Sequence, residues 1–130
     1  DSLSDLYATL HEKYPDVVYP QYVKWNKSRN PWEVRASLVG LFYYAQGRNR
    51  QPSFAKAMRM IKGAFSHKDM YVQKGVGWSL RECYTVYPEP TWAFLREHAK
   101  DLSAVAWQAS TEKLGPQRKA ELKRLRKKSL

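Results

Sequence analysis

The sequence predicts an all-α protein of antiparallel helices joined by short turns. Apolar residues recur at i, i+4 and i+7 along most of the chain, the spacing of a helix that buries one face. Capping residues, prolines and glycines divide the sequence into about seven such segments. No segment alternates apolar and polar residues between hairpin turn residues, so strands are not expected.

Proline and asparagine place the first three helices. Pro15 separates the first helix from the second, and Asn30 followed by Pro31 is a cap with proline at the first helical position. The predicted ranges are about 2–14, 16–27 and 31–47. Candidate packing residues of the second and third helices are Val17, Tyr22, Trp25, Val34, Leu38, Leu41, Phe42 and Ala45.

Serine, aspartate and proline place the other four helices. Ser53 and Ser103 cap the fourth and the seventh, Asp69 begins the fifth, and Pro88 ends it. The predicted ranges are about 54–65, 69–87, 91–100 and 104–114. Because Gly115 and Pro116 end the seventh helix, we expect a domain over 1–116 and a basic tail over 117–130. The tail either extends the last helix or stays disordered, and it either contacts phosphates or is only solvated.

The charge balance favours a polyanionic partner. The 130 residues include 23 Lys or Arg and 12 Asp or Glu, a formal net charge of +11. Nucleic acid and an anionic membrane surface both fit such a charge. No apolar run reaches the roughly 18 residues of a membrane span, no signal peptide is recognisable, and no Cys/His cluster has metal-ligand spacing. We therefore expect a soluble, cytoplasmic protein without metal or cofactor.

The fifth helix carries the strongest candidate binding residues. Lys74, Trp78, Arg81 and Thr85 share one face, and Gly75 and Gly77 lie beside this row. Each glycine costs a helix roughly 1 kcal/mol relative to alanine, so close packing or close approach of a ligand should offset it. The two cations of this row can hold phosphates, and its tryptophan ring can stack on a sugar or base. Alternatively, Trp78 belongs to the core and the cations are solvated.

The third helix repeats this theme. Trp32 and Arg35 lie one turn apart near its start, where an arginine can reach a phosphate oxygen or pair with a carboxylate such as Glu33 or Glu82. The sequence holds no spaced pair of catalytic carboxylates, no Ser/His/Asp order and no glycine-rich phosphate loop. The three histidines are isolated, and we expect them at the surface.

Two segments resemble the HEAT-like-repeat DNA alkylation repair glycosylases (the AlkD type). The stretch YVQKGVGWSLRECYTVYP, residues 71–88, is similar to the family pattern F-I-x-K-A-I-G-W-x-L-R-E-Y-x-K-x-x-P. The matching residues there are Lys74, Gly77, Trp78, Leu80, Arg81, Glu82 and Pro88. Upstream, KWNKSRNPWEVRASLVGLFYY resembles W-x-x-S-x-N-x-W-x-x-R-x-A-I-L through Trp25, Ser28, Asn30, Trp32, Arg35 and Leu38.

The resemblance covers the C-terminal part of such proteins and implies both a fold and an activity. The fold is an α-α superhelix of HEAT-like antiparallel helix pairs, whereas periodicity alone fits an orthogonal bundle equally well. The activity is removal of positively charged alkylated purines, 3-methyladenine and 7-methylguanine, from duplex DNA. A protein of this kind is expected in the bacterial cytoplasm, associated with the nucleoid. The alternative is a HEAT-like DNA-binding module, or a fragment, without glycosylase activity.

The resemblance also implies site residues. Asp1 best matches the family's catalytic carboxylate, with Asp5 as the weaker match, and Trp78 is the second catalytic candidate. The candidate DNA-binding residues are Trp32, Arg35, Lys74 and Arg81. One departure is that Trp107 and Gln108 stand where the family often has Arg-Glu, which puts one phosphate or structural contact in doubt.

Overall fold

The computed structural model describes residues 2–42 and 50–127, and the regular structure of these residues is helical throughout. The all-α prediction is confirmed. The eight helices of the described residues are α1 (Ser2–Lys13), α2 (Pro15–Asn26), α3 (Pro31–Phe42), α4 (Phe54–Ala64), α5 (Met70–Val86), α6 (Pro88–Glu97), α7 (Ala104–Ser110) and α8 (Pro116–Lys127). The helix beyond the seven expected, α8, lies in the basic segment.

The predicted caps hold four of these helices at their starts. The Asn30 side chain accepts a hydrogen bond from the backbone N–H of Trp32, and the Ser53, Asp69 and Ser103 side chains cap α4, α5 and α7. The end predicted for the third helix, including Ala45 and Gly47, lies outside the described residues. Val17 is 74% exposed, so its assignment as a packing residue is wrong.

The helices pack in two layers. The odd-numbered helices lie side by side in chain order, α1 against α3, α3 against α5, and α5 against α7. On the other side, α2 packs against α4 and α6 against α8, and each layer covers the other. One continuous apolar core joins residues from α2 to α8. This arrangement agrees with an α-α superhelix of antiparallel pairs.

Helix α5 lies at the centre of its layer because two glycines let its neighbours approach closely. A methyl group added at Gly77 would lie 2.7 Å from the carbonyl oxygen of Ala106 in α7. A methyl group at Gly75 would lie 3.2 Å from Leu38 Cδ1 and 3.5 Å from Arg35 Cγ, both in α3. Close helix packing therefore explains the two glycines.

Gln73 ties three segments of the chain together from within α5. Its buried amide Nε2 donates hydrogen bonds to the carbonyl oxygens of Phe65, at 2.9 Å, and His67, at 2.7 Å, just after α4. Its Oε1 accepts a hydrogen bond of 2.8 Å from Ser103 Oγ, which in turn accepts one from the Ala106 N–H. The end of α4 and the start of α7 are thus fixed to the same turn of α5.

Helix α8 docks through two of its arginines and one leucine. Arg118 donates to both carboxylate oxygens of Glu89 at 2.9 Å, and its guanidinium lies 4.9 Å from the Trp92 ring centroid. Arg126 donates to two carbonyl oxygens at 2.8 Å and lies 4.8 Å from the centroid of Trp107. Leu122 is fully buried. Over Pro116–Lys127 the basic segment is therefore a packed helix, and Trp107 supports one of its arginines.

We expect the two glycines of α5 to tolerate alanine very differently. Gly77→Ala places a methyl group against the backbone of α7 and should lower the free energy of unfolding by about 1–3 kcal/mol. Gly75→Ala meets only side-chain atoms, and the gain in helix propensity of about 1 kcal/mol should offset the tighter contact. Urea unfolding of both variants tests this, and equal destabilisation would contradict it.

Candidate functional site

Two exposed aromatic side chains stack where α3 and α5 begin. The ring centroids of Trp32 and Tyr71 are 5.5 Å apart and the ring planes differ by 25°. Trp32 is 62% exposed and Tyr71 is 51% exposed. The Lys74 Nζ atom lies 5.4 Å from the Tyr71 centroid. Trp32 and Lys74 were predicted from the sequence, whereas Tyr71 was missed although it lies one turn before Lys74 on the same face.

Arg35 lies one turn further along α3 and presents an unsatisfied donor. Its Cγ packs over the position of Gly75 on α5. Its Nε atom is buried and has no hydrogen-bond partner among the described residues. One carboxylate considered as its partner, Glu33, receives a hydrogen bond from the Ser28 hydroxyl instead. A buried donor without a partner costs about 1–3 kcal/mol, and an anion bound there would relieve that cost.

Trp78 and Arg81 form the second half of the site, further along α5. Trp78 is half-buried, and the guanidinium carbon of Arg81 lies 5.7 Å from its ring centroid. Arg81 Nη1 lies 2.7 Å from a carboxylate oxygen of Glu112, and Arg81 Nε lies 3.4 Å from one of Glu82. Arg81 is therefore held by two ion pairs and is not simply solvated, as the alternative interpretation of this row had it.

The two carboxylates around Arg81 differ in burial. The Glu82 side chain is only 9% exposed and also lies 3.5 Å from Lys113 Nζ. The Glu112 side chain is 52% exposed. Glu82 is therefore a fixed structural counter-charge, while Glu112 is an exposed anion on the outer nitrogen of Arg81.

These contacts define one surface, which we call the basic face. Its members share the outer sides of α3 and α5 by helical spacing, and all of them except Arg35, which packs over Gly75, contact another member. They are Trp32, Arg35, Tyr71, Lys74, Trp78 and Arg81.

The two carboxylate candidates lie near the start of the chain. Asp1 lies outside the described residues. Asp5 is exposed in the first turn of α1, the helix that packs against α3. Within residues 2–42 and 50–127, no group of three or more His, Cys, Asp or Glu side chains could hold a metal ion. In those same ranges, every helix is too short or too polar to cross a bilayer.

A separate cavity of about 600 Å³ lies between the α1–α2 turn and the segment that leads into α4. None of the basic-face residues lines it. His11 contributes to its wall, is only 4% exposed and stacks edge-on against Tyr22. Burial, together with the positive charge of Lys56, lowers the pKa of His11 to about 4. The surface position predicted for this histidine is wrong.

The fold and the site together define a two-layer, all-α protein with a basic, aromatic surface on its central helices. A family model described as DNA alkylation repair enzyme matches residues 2–114, and the chain belongs to this family. A search of curated proteins and a search of solved structures return no significant match. The family assigns the protein a role in DNA alkylation repair.

We expect His11 to make stability depend on pH. The pKa of His11 is about 4 in the folded protein and about 6.5 when unfolded, so the unfolded chain binds the proton more tightly. The stabilisation is complete above pH 6.5 and is lost as the pH falls towards 4, by up to about 3 kcal/mol. Denaturant unfolding from pH 7 to 4 measures this, with His11→Gln as the comparison. An equally steep loss in His11→Gln would contradict the assignment.

Proposed function

We propose that this protein is a DNA glycosylase that hydrolyses the N-glycosidic bond of positively charged alkylated purines, 3-methyladenine and 7-methylguanine, in duplex DNA. The observation that carries the proposal is the basic face. It combines the exposed rings of Trp32 and Tyr71 with the cations Arg35, Lys74 and Arg81, and the buried Nε of Arg35 has no hydrogen-bond partner among the described residues. Phosphates pair with such cations, and aromatic rings supply stacking surfaces for bases and sugars. Membership of a DNA alkylation repair family is in line with this activity.

The chemistry needs few catalytic groups because the lesion is already a cation. When the bond between C1′ and the base nitrogen breaks, its electron pair goes to the base and neutralises it, so no general acid is required. The deoxyribose becomes an oxocarbenium-like cation. Water then adds at C1′ and loses its proton to solvent. The protein's task is to stabilise the positive sugar in the transition state.

Two residues are assigned to that task. The Asp1 carboxylate supplies negative charge near the sugar, and the Trp78 ring offers its π-face to the developing cation. Arg35, Lys74 and Arg81 hold phosphates of the backbone, with Trp32 beside them. Under this assignment the basic face binds duplex DNA and the lesion lies against Trp78.

Asp1→Asn should abolish base release and leave duplex affinity nearly unchanged, because the carboxylate acts only on the transition state. The measurement is release of 3-methyladenine and 7-methylguanine from methylated duplex DNA, with binding followed by fluorescence anisotropy. Asp5→Asn is the matched control and should retain activity.

The outcomes of this experiment separate the candidate functions. Release lost in Asp5→Asn but kept in Asp1→Asn would move the catalytic role to Asp5. If the unaltered protein releases no base but binds duplex DNA in a salt-sensitive way, the glycosylase proposal fails, and a DNA-binding module takes its place.

Removing the charge of Glu112 and removing the charge of Glu82 should have opposite effects on the affinity for duplex DNA. Glu112 is exposed and occupies the outer nitrogen of Arg81, the position that a phosphate oxygen would take. Glu112→Gln should therefore tighten duplex binding, by up to about fivefold for an exposed pair. Glu82→Gln should weaken binding, because Arg81 and Lys113 lose the buried anion that positions them.

The control for net charge is Glu97→Gln, an exposed carboxylate at the end of α6. It adds the same unit of charge and should change the Kd little. Anisotropy titrations at three salt concentrations compare the variants. Equal tightening by all three substitutions would mean that net charge alone matters and that Arg81 has no special part.

A further inference from the structure

We propose that the Trp32–Tyr71 pair is a stacking site for one unpaired nucleobase of a DNA strand, separate from the position assigned to the lesion at Trp78. The inference rests on the proposed function only in taking DNA as the ligand. It adds Tyr71 to the site, assigns a mode of binding, and names the form of DNA that the site prefers.

The first argument is that the two rings are held in a fixed arrangement that buries neither of them. Both are more than half exposed, yet they stack with their centroids 5.5 Å apart. The adjacent Met70 is also exposed, at 58%. Two aromatic rings that stack on each other in contact with solvent offer a flat surface on which a further ring can stack.

The second argument is rigidity. The backbone N–H of Trp32 donates to Asn30 Oδ1, and that of Tyr71 donates to Asp69 Oδ1, both at 2.9 Å. The two helices are also locked to each other, since Ser79 Oγ donates a hydrogen bond of 3.0 Å to the Leu38 carbonyl oxygen. The backbone positions that carry the two rings are therefore fixed relative to each other before a ligand arrives, which limits the entropic cost of binding.

The third argument selects a nucleobase over an apolar protein segment. Lys74 lies against Tyr71, and Arg35 lies one turn beyond Trp32 with its unsatisfied Nε. A strand of DNA presents both a flat ring and a phosphate at this spacing, whereas an apolar peptide leaves the two cations without partners. The pair also continues the face of α5 that carries Trp78 and Arg81.

For a strand that runs along α5, the helical spacing gives the distance between the stacked base and the nucleotide at Trp78. Tyr71 and Trp78 are seven residues apart, which corresponds to about 10 Å of helix. Stacked nucleotides of one strand are spaced about 3.4 Å apart. A base on the Trp32–Tyr71 pair is therefore about three nucleotides away from the nucleotide at Trp78.

A binding experiment with two DNA probes tests the proposal. The probes are a duplex with an abasic-site analogue and fully paired flanks, and the same duplex with one unpaired thymine three nucleotides from the analogue. The unaltered protein should bind the second probe more tightly. Trp32→Ala and Tyr71→Ala should each lower the affinity for the second probe by about 5- to 150-fold, the range measured for base–aromatic stacking. Both variants should lose less affinity for the fully paired probe, because that probe offers the two rings no unpaired base.

Two control variants separate stacking from charge and from general apolar contact. Met70→Ala shortens an equally exposed neighbour and should leave both affinities unchanged. Lys74→Ala should reduce the slope of log K against log salt by about one for both probes, whereas the two aromatic variants keep the slope. Because both rings are exposed, alanine at either position should leave the thermal unfolding midpoint unchanged.

Three results would overturn the inference. The first is that the aromatic variants lose the same affinity for both probes, and the second is that they lose affinity for neither. The third is that Trp32→Ala changes the slope of log K against log salt. If sedimentation shows self-association that Trp32→Ala abolishes, the pair is an interface between copies of this chain instead. Base release is measured on the same proteins so that the two proposals can be told apart. If the protein releases no base but still prefers the probe with the unpaired thymine, the glycosylase proposal is refuted and the stacking site is not.

Discussion

The close approach of α5 to its two neighbours is the constraint on which the site depends. With glycine at positions 75 and 77, the backbone of α5 meets side chains of α3 on one side and the backbone of α7 on the other. This distance lets the Arg35 side chain lie across α5 and brings Trp32 onto Tyr71. A wider separation would leave the same residues on two unconnected helix surfaces.

Several arginines form contacts within the protein. Arg118 and Arg126 anchor α8 through hydrogen bonds and aromatic rings, and Arg81 is bound by two glutamates. Buried or ring-stacked guanidinium groups bind in a fixed geometry, so Arg118 and Arg126 act as structural donors. The basic face carries three cations, Arg35, Lys74 and Arg81, so most of the 23 Lys and Arg side chains lie elsewhere on the chain. Of the three, Lys74 is exposed and Arg35 has no ion pair with a carboxylate among the described residues, whereas Arg81 is already paired.

The sequence predicted the features that are local in the chain. The caps at Asn30, Ser53, Asp69 and Ser103 were correct because a cap is decided by two or three neighbouring residues. Helical spacing also predicts an apolar stripe on α5 made of Val72, Val76, Leu80, Cys83 and Tyr87. The first four are fully buried, whereas Tyr87 follows the last residue of the helix and is only partly buried.

The errors concern contacts between distant residues. His11 is buried because Tyr19 and Tyr22 of the next helix stack on it, and no pattern within α1 indicates that. Tyr71 was missed because its partner lies 39 positions earlier in the chain. Spacing along one helix predicts which residues share a face, but not which helix that face meets.

The proposed chemistry requires one surface to attract negative phosphates without repelling a positive sugar and base. The contacts of Arg81 offer a way to meet both requirements. Phosphates must be attracted by cations, yet a positively charged base and an oxocarbenium-like sugar are repelled by the same cations. Glu82 and Glu112 neutralise Arg81 beside Trp78, so the field at that ring is less positive than the arginine alone would create. When a phosphate replaces Glu112 on Arg81, one anion is exchanged for another and the neutralisation persists. Under the proposed function, the cation that anchors the backbone therefore adds little repulsion where the positive sugar forms.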